Sequence, residues 1–184
     1  LDIPHATLLD LDLGRRHGGA KTMRGCLENL ADIGNDFRNN IQYLLGNVDP
    51  DEADQLTDQN LLGGAPQANW LQAFCEEGVF FSFPIDLDFS MLRAFPRAYQ
   101  VPNPGGRGPM GSAEAIQARK STTLKTGGKP ALYTHHYDDS FKWYPYLFLS
   151  SSKPETPLAA FSRISDGDIA RSAPREIRKL IEYV

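Results

Sequence analysis

The chain is poor in cysteine, and it lacks long apolar runs and any surplus of basic charge. Cys26 and Cys75 are its two cysteines in 184 residues. They stand far apart without partners at zinc-ligand spacing, so no zinc site is expected on them. Both are expected as buried thiols in a reducing compartment. No run of 18 apolar residues occurs, and no signal-peptide pattern opens the chain. The expectation is a cytoplasmic protein with no membrane partner. Lys and Arg number 19 against 23 Asp and Glu, a formal net charge of -4. That balance argues against a protein coated in positive charge for nucleic acid. It leaves room for a nuclease, whose carboxylates hold metal while a local basic strip holds phosphates. An initiator Met is also lacking, and the first strand signal comes almost at once. We therefore expect a fragment of something longer, with part of a site outside it. No internal repeat or low-complexity tract stands out.

Hydrophobic residues make up 41% and charged residues 23%, enough for a packed core in one domain, or one domain with a subdomain. The most informative stretch is Thr7-Leu8-Leu9-Asp10-Leu11-Asp12-Leu13-Gly14-Arg15-Arg16. Read as a strand over 7–13, it puts Asp10 and Asp12 on one face, because strand side chains repeat every two residues. Two carboxylates on one face repel in a dry site and become favourable around a hard cation such as Mg²⁺. The alternative is an edge strand with a polar face. The turn over 14–20 adds Arg15, Arg16, His17 and glycines, followed by Lys21. It suits either phosphate contact or a solvated loop.

Helical spacing predicts helices over 21–33 and 36–46. The acidic stretch over 47–68, which includes Asp58, reads as a solvated surface segment; it lacks the alternation and closing Glu of a calcium loop. A short helix over 69–77 precedes a buried strand over 79–83, ended by Pro84. A second Asp-x-Asp, Asp86 and Asp88, follows at once. Asp86 doubles as a candidate N-cap, and Asp88 then lies in the first helical turn. The stretch from Tyr99 to Ser112 is a Gly- and Pro-rich loop, and Ser112 caps a helix to about Leu124. The stretch 133–146 is aromatic packing. Adjacent His135 and His136 point apart on regular backbone and are not expected to share a metal. An apolar run over 147–150 is a candidate third strand, and Lys153 after it could offset charge on a phosphate. Short helices are expected over 157–163, 166–169 and 174–183.

Three stretches together resemble a known family: Thr7 to Arg15 with the glycines after it, Val79 to Phe89, and Phe148 to Thr156 with its Ser-Ser-Ser-Lys-Pro core. The first resembles the Asp-x-Asp motif of Toprim domains. Their order and spacing resemble the C-terminal nuclease region of overcoming-lysogenization-defect (OLD) family endonucleases. The resemblance implies an α/β fold, a Toprim-like, mainly parallel sheet flanked by helices. It implies a core over 1–96, a helical subdomain over 97–146 and a return to the core over 147–184. It also implies a metal-dependent DNA endonuclease working with two Mg²⁺, with Mn²⁺ as a substitute and Ca²⁺ as an occupying ion. An ABC-type ATPase domain in the same protein and a homodimer complete the expected partners. Asp10 and Asp12 match the metal-binding motif, Asp88 and Asp86 the later acidic motif, and Lys153 the lysine that stabilises the transition state. Arg15, Arg16 and Lys21 would guide the DNA backbone. The chain departs from the family at one point. The essential Glu upstream of Asp-x-Asp has no counterpart, since Glu76 and Glu77 come too late and before a strand.

Two rival readings remain open. A haloacid-dehalogenase-type phosphatase would use Asp10 as nucleophile and Asp12 as acid/base. Its acidic pair, here Asp138 and Asp139, would have to follow Lys153 and instead precedes it. A non-catalytic interaction fragment is the other.

Overall fold

The computed structural model describes residues 6–32, 56–62, 65–102, 105–149 and 155–184, without the side chains of 31–32 and 65–68. Strand β1 spans Thr7–Asp10, and helix α1 spans Ala20–Asp32. A short helix α2 over Asp58–Leu61 and helix α3 over Ala65–Glu76 lead into strand β2, Val79–Ser82. Helices α4 (Leu87–Ala94) and α5 (Pro96–Tyr99) follow, then α6 (Ala113–Leu124). Two 3₁₀ turns, Pro130–Leu132 and His135–Tyr137, precede α7 (Asp138–Phe148). The described chain closes with α8 (Glu155–Phe161), α9 (Asp166–Ser172) and α10 (Arg175–Tyr183). It is a helix-rich α/β structure on a small parallel sheet. No helix among the described residues is long and apolar enough to cross a membrane.

The two strands pair in parallel, Thr7 opposite Val79 and Asp10 opposite Ser82. β2 is buried along its whole length, as expected of an apolar run covered on both faces. Phe81 meets Phe74 of α3 edge-on at 5.1 Å, and Phe80 meets Tyr183 of α10 at 5.6 Å. β1 ends at Asp10, three residues short of the expected strand. Asp12 takes a left-handed backbone, φ 54°, which breaks the alternation. Leu11 N–H still donates to Ser82, but Asp12 and Leu13 turn their N–H groups to Ile85 and Pro84. The shared face of Asp10 and Asp12 is therefore not set by strand periodicity. A turn sets it.

Two apolar clusters form the core. One joins Leu11, Leu13, Met23 and Leu27 to Phe74, Val79 and Phe81 around the sheet. The other begins at Ile85 and joins Phe89, Leu92 and Tyr99 to Phe141, Tyr144 and Phe148. The boundary expected at residue 96 falls inside this second cluster, because α4 buries Phe89 against α7. Its rings stack edge-on, Phe89 to Phe141 at 5.0 Å and Tyr133 to Phe141 at 4.8 Å. Between α6 and α7, buried Lys120 reaches Asp138 at 2.6 Å and the Tyr133 carbonyl at 3.0 Å.

The apolar run near Leu147 is no strand. It is the last turn of α7, where Phe141, Tyr144, Leu147 and Phe148 recur at helical spacing on one buried face. Asp58 is not solvated either. It is 9% exposed, because one oxygen accepts from Ala20 N at 3.1 Å and the other holds Lys129 at 2.8 Å. Cys26 and Cys75 are free and half-buried rather than buried. Burial raises both thiols above their ordinary value. His135 and His136 do not point apart: the 3₁₀ backbone brings their rings to 4.1 Å. The expected helix over 36–46 and Lys153 lie outside the described residues.

Candidate functional site

The C-terminal ends of β1 and β2 lie side by side, and carboxylates collect there. Asp10 ends β1. Asp12 sits on the turn after it. Asp86 comes to the same place from the other strand, four residues past Ser82, as the N-cap of α4. Its Oδ1 accepts from Phe89 N at 2.9 Å, which satisfies a helix-end donor. The cap and the candidate site role fall on one residue.

Asp10 records the crowding. Although Asp10 is exposed at the strand end, partial desolvation raises its pKa above the ordinary carboxylate value, and the charges of Asp86 and Asp12 push it further. The Leu87 N–H and Arg15 oppose the rise without cancelling it. Three negative groups thus act on one another at the mouth of a parallel sheet, the usual place for a site in such folds.

Arg15 is the charge that holds the group together. Its guanidinium pairs with Asp12, reaches Asp86 Oδ2 at 3.4 Å, and donates from Nε to the Thr123 carbonyl at 3.3 Å. Its side chain is 15% exposed. Burial works against its charge, but Asp12, Tyr144 and Asp86 outweigh that and raise its pKa. A cation so engaged is an internal counter-ion rather than a hand held out to DNA. Tyr144 of α7 donates its hydroxyl to Asp86 Oδ2. Burial first, then the Asp86 charge, pushes that hydroxyl well up, so it stays a donor at neutral pH.

The glycines after the motif shape the turn. Gly18 lies against the Asp12 backbone, where a Cβ would come within 2.0 Å of the carbonyl oxygen. Gly19 has φ 66°, and its N–H donates to Leu11 O at 2.7 Å. Arg16, His17 and Lys21 stay on the exposed rim, with Lys21 Nζ 3.5 Å from His17 Nδ1. Asp88 occupies the first turn of α4. Together with burial, its charge pushes the Tyr99 hydroxyl up to about 12. The structure thus brings Asp10, Asp12, Asp86 and Arg15 together, leaves Arg16 and Lys21 on the rim, and places Asp88 beside Tyr99. Sequence reasoning missed Tyr144, Asp58 and the Thr123 carbonyl. Each acts across more than 30 residues, and only the Gly18-Gly19 pair after the motif signalled a close approach of chains.

Mg²⁺ suits the donor chemistry of Asp10 and Asp12, since it accepts one or two carboxylates and keeps several waters. Among the described residues no three His, Cys, Asp or Glu are grouped to hold an ion. Asp86 is already committed to Phe89, Tyr144 and Arg15. The donors left for a water-rich ion are Asp10 and the Asp12 oxygen that Arg15 does not hold.

The strain of like charges has a measurable sign. A carboxyl whose folded pKa is raised keeps its proton more tightly in the folded chain. Folding stability is then lost as pH rises from the unfolded value near 3.8 through the raised folded value. In metal-free buffer, Asp10→Asn is expected to raise the unfolding free energy at neutral pH relative to the parent and leave it unchanged at pH below the unfolded value. Arg15→Gln is expected to lower it at neutral pH. Urea denaturation across that pH range reads both, and equal curves for Asp10→Asn and the parent would contradict the like-charge account.

No protein-family model, curated protein or solved structure matches the chain.

Proposed function

We propose that the chain is the nuclease part of a larger ATPase–nuclease protein and cuts DNA phosphodiester bonds with divalent metal. The observation that carries the reading is the meeting of Asp10, Asp12 and Asp86 at the ends of two adjacent parallel strands. The resemblance to OLD-family nucleases supports the same reading from the motifs.

Asp10 and Asp12 hold the metal, Mg²⁺ by preference with Mn²⁺ as a substitute. Bound there, the metal supplies Lewis-acid chemistry at the phosphate. Asp86, locked by Phe89 and Tyr144, fixes Arg15. Arg15 in turn positions Asp12 and balances the cluster when metal is away. Arg16 and Lys21 on the rim take backbone phosphates, which gives affinity without sequence choice. Lys153 is proposed, on the motif, to offset charge developing on the phosphate. The ATPase domain, a further upstream carboxylate and a homodimer belong to the proposal on the same ground.

Supercoiled plasmid, incubated with the chain and Mg²⁺ or Mn²⁺, is expected to become open-circular, and a chelator is expected to stop it. Hydrolysis of phosphomonoesters without nicking would move the reading to a phosphatase with Asp10 as nucleophile. Absence of any divalent-metal binding by calorimetry would leave only an interaction role.

A further inference from the structure

A cavity of about 330 Å³ opens between α3, the end of β2, α4 and α10. That volume is at the lower end of what small-molecule sites enclose, roughly 300–1,000 Å³. Its floor is apolar: Leu71 of α3, Phe81 of β2, Phe83 just after that strand, and Ala94 of α4. Its rim carries Arg93, Arg175 and Lys179 against a single carboxylate, Glu176. The Glu176 charge is turned into the wall, because its Oε1 accepts from the Ser90 hydroxyl at 2.5 Å and from Phe83 N at 3.4 Å.

The cations are not bound up in strong pairs. Among the described residues, Arg175 reaches Gln72 at 3.4 Å. Arg93 lies over the Tyr137 ring at 4.4 Å. Lys179 pairs with Glu182 at 2.9 Å, a surface i,i+3 contact of the kind worth little in water. Cys75 also lines the cavity. Burial raises its thiol, so at neutral pH it is a wall rather than a nucleophile. Nothing in the metal reading uses this cavity.

The geometry points to a binding site for a small organic anion: an apolar body on the Leu71–Phe81–Phe83 floor, and a carboxylate or similar acid head at Arg175 and Lys179. The apolar floor provides affinity by area removed from water. The rim selects the sign of charge, since a cation would be repelled by three basic groups facing one satisfied carboxylate.

Decanoate and decylammonium, both kept well below micelle-forming concentration, are titrated into the chain by calorimetry and followed by ligand-observed NMR. Decanoate is expected to bind and decylammonium not. Arg175→Gln with Lys179→Gln is expected to weaken decanoate by about tenfold or more, since both charge-assisted contacts to the acid head are lost. Arg175 is exposed and Lys179 partly so, so the double variant is expected to keep the fold, which circular dichroism checks. Ala94→Trp, filling the cavity, is expected to abolish binding. The inference is overturned if the parent chain does not bind decanoate, if both amphiphiles bind alike, or if the double variant binds decanoate as tightly as the parent.

Discussion

Asp10→Ala is expected to slow metal-dependent plasmid nicking by about 10²-fold or more, roughly 3 kcal/mol of lost transition-state stabilisation. Asp10 is the carboxylate that the other two press upon. It is not tied to Arg15 by a hydrogen bond, as Asp12 and Asp86 are. On the proposed metal reading, an incoming dication would meet its least committed donor at Asp10. Removing that oxygen pair takes away a hard ligand without removing any buried pair that holds the turn. The fold should survive, and calorimetry on the same variant should show metal affinity falling with the rate. Arg16→Ala and Lys21→Ala serve as the contrast. Both side chains are exposed, so they are expected to weaken DNA binding a few-fold and to flatten its salt dependence. They should leave the nicking rate at saturating DNA close to the parent's. Nicking by Asp10→Ala at the parent rate would remove the aspartate cluster from the chemistry.

Gly18→Ala is expected to be the most damaging small substitution in the described structure. An added Cβ would stand 2.0 Å from the Asp12 carbonyl oxygen and 2.5 Å from the Asp12 Cβ. Neither is the free end of a flexible side chain, so backbone must move. The turn it would disturb is closed by three hydrogen bonds: Arg15 N to Asp12 O, Gly18 N to Arg15 O and Gly19 N to Leu11 O. The same turn keeps Asp12 left-handed, a state that costs about 1–3 kcal/mol and persists only where the surroundings impose it. We expect a loss of about 3 kcal/mol of unfolding free energy, read by urea denaturation. Displacement of Asp12 should lower metal affinity as well. Gly25→Ala is the control. Gly25 lies inside α1 with open space where its Cβ would go, and alanine there should stabilise by about 0.5–1 kcal/mol. If Gly18→Ala were as stable as the parent, the packing of this turn against Asp12 would be wrong.

The two substitutions bear on one construction. The strand delivers Asp10 by simple alternation. The glycine turn delivers Asp12, and a helix cap delivers Asp86. Arg15 then ties the last two to the helical layer through Thr123 and Tyr144. Rigid elements would supply the precision that the proposed metal site needs, while Arg16 and Lys21 lie on the exposed rim, where the proposal has the DNA backbone run.

Much of this was legible in the residues alone. The apolar run over 79–83, the cap at Asp86 and the cap at Ser112 were readable because each depends on neighbours a few positions away. The helices α1, α6 and α10 follow from the same local spacing and punctuation. The pairing of β1 with β2 was foreshadowed by two Asp-x-Asp motifs after apolar runs, since parallel strands put like ends together. What tertiary structure alone decided were the relations between distant residues. Leu147 became helix rather than strand because its apolar neighbours had a helical layer to pack against. Asp58 became a buried anchor because Ala20 and Lys129 reached it. Arg15 reads as a DNA-binding arginine in a basic turn, yet Asp86, Thr123 and Tyr144 converge on it from three other parts of the chain. Local chemistry sets which elements form and where they stop. Burial and charge pairing across the assembled layers set which side chains remain free to meet a substrate.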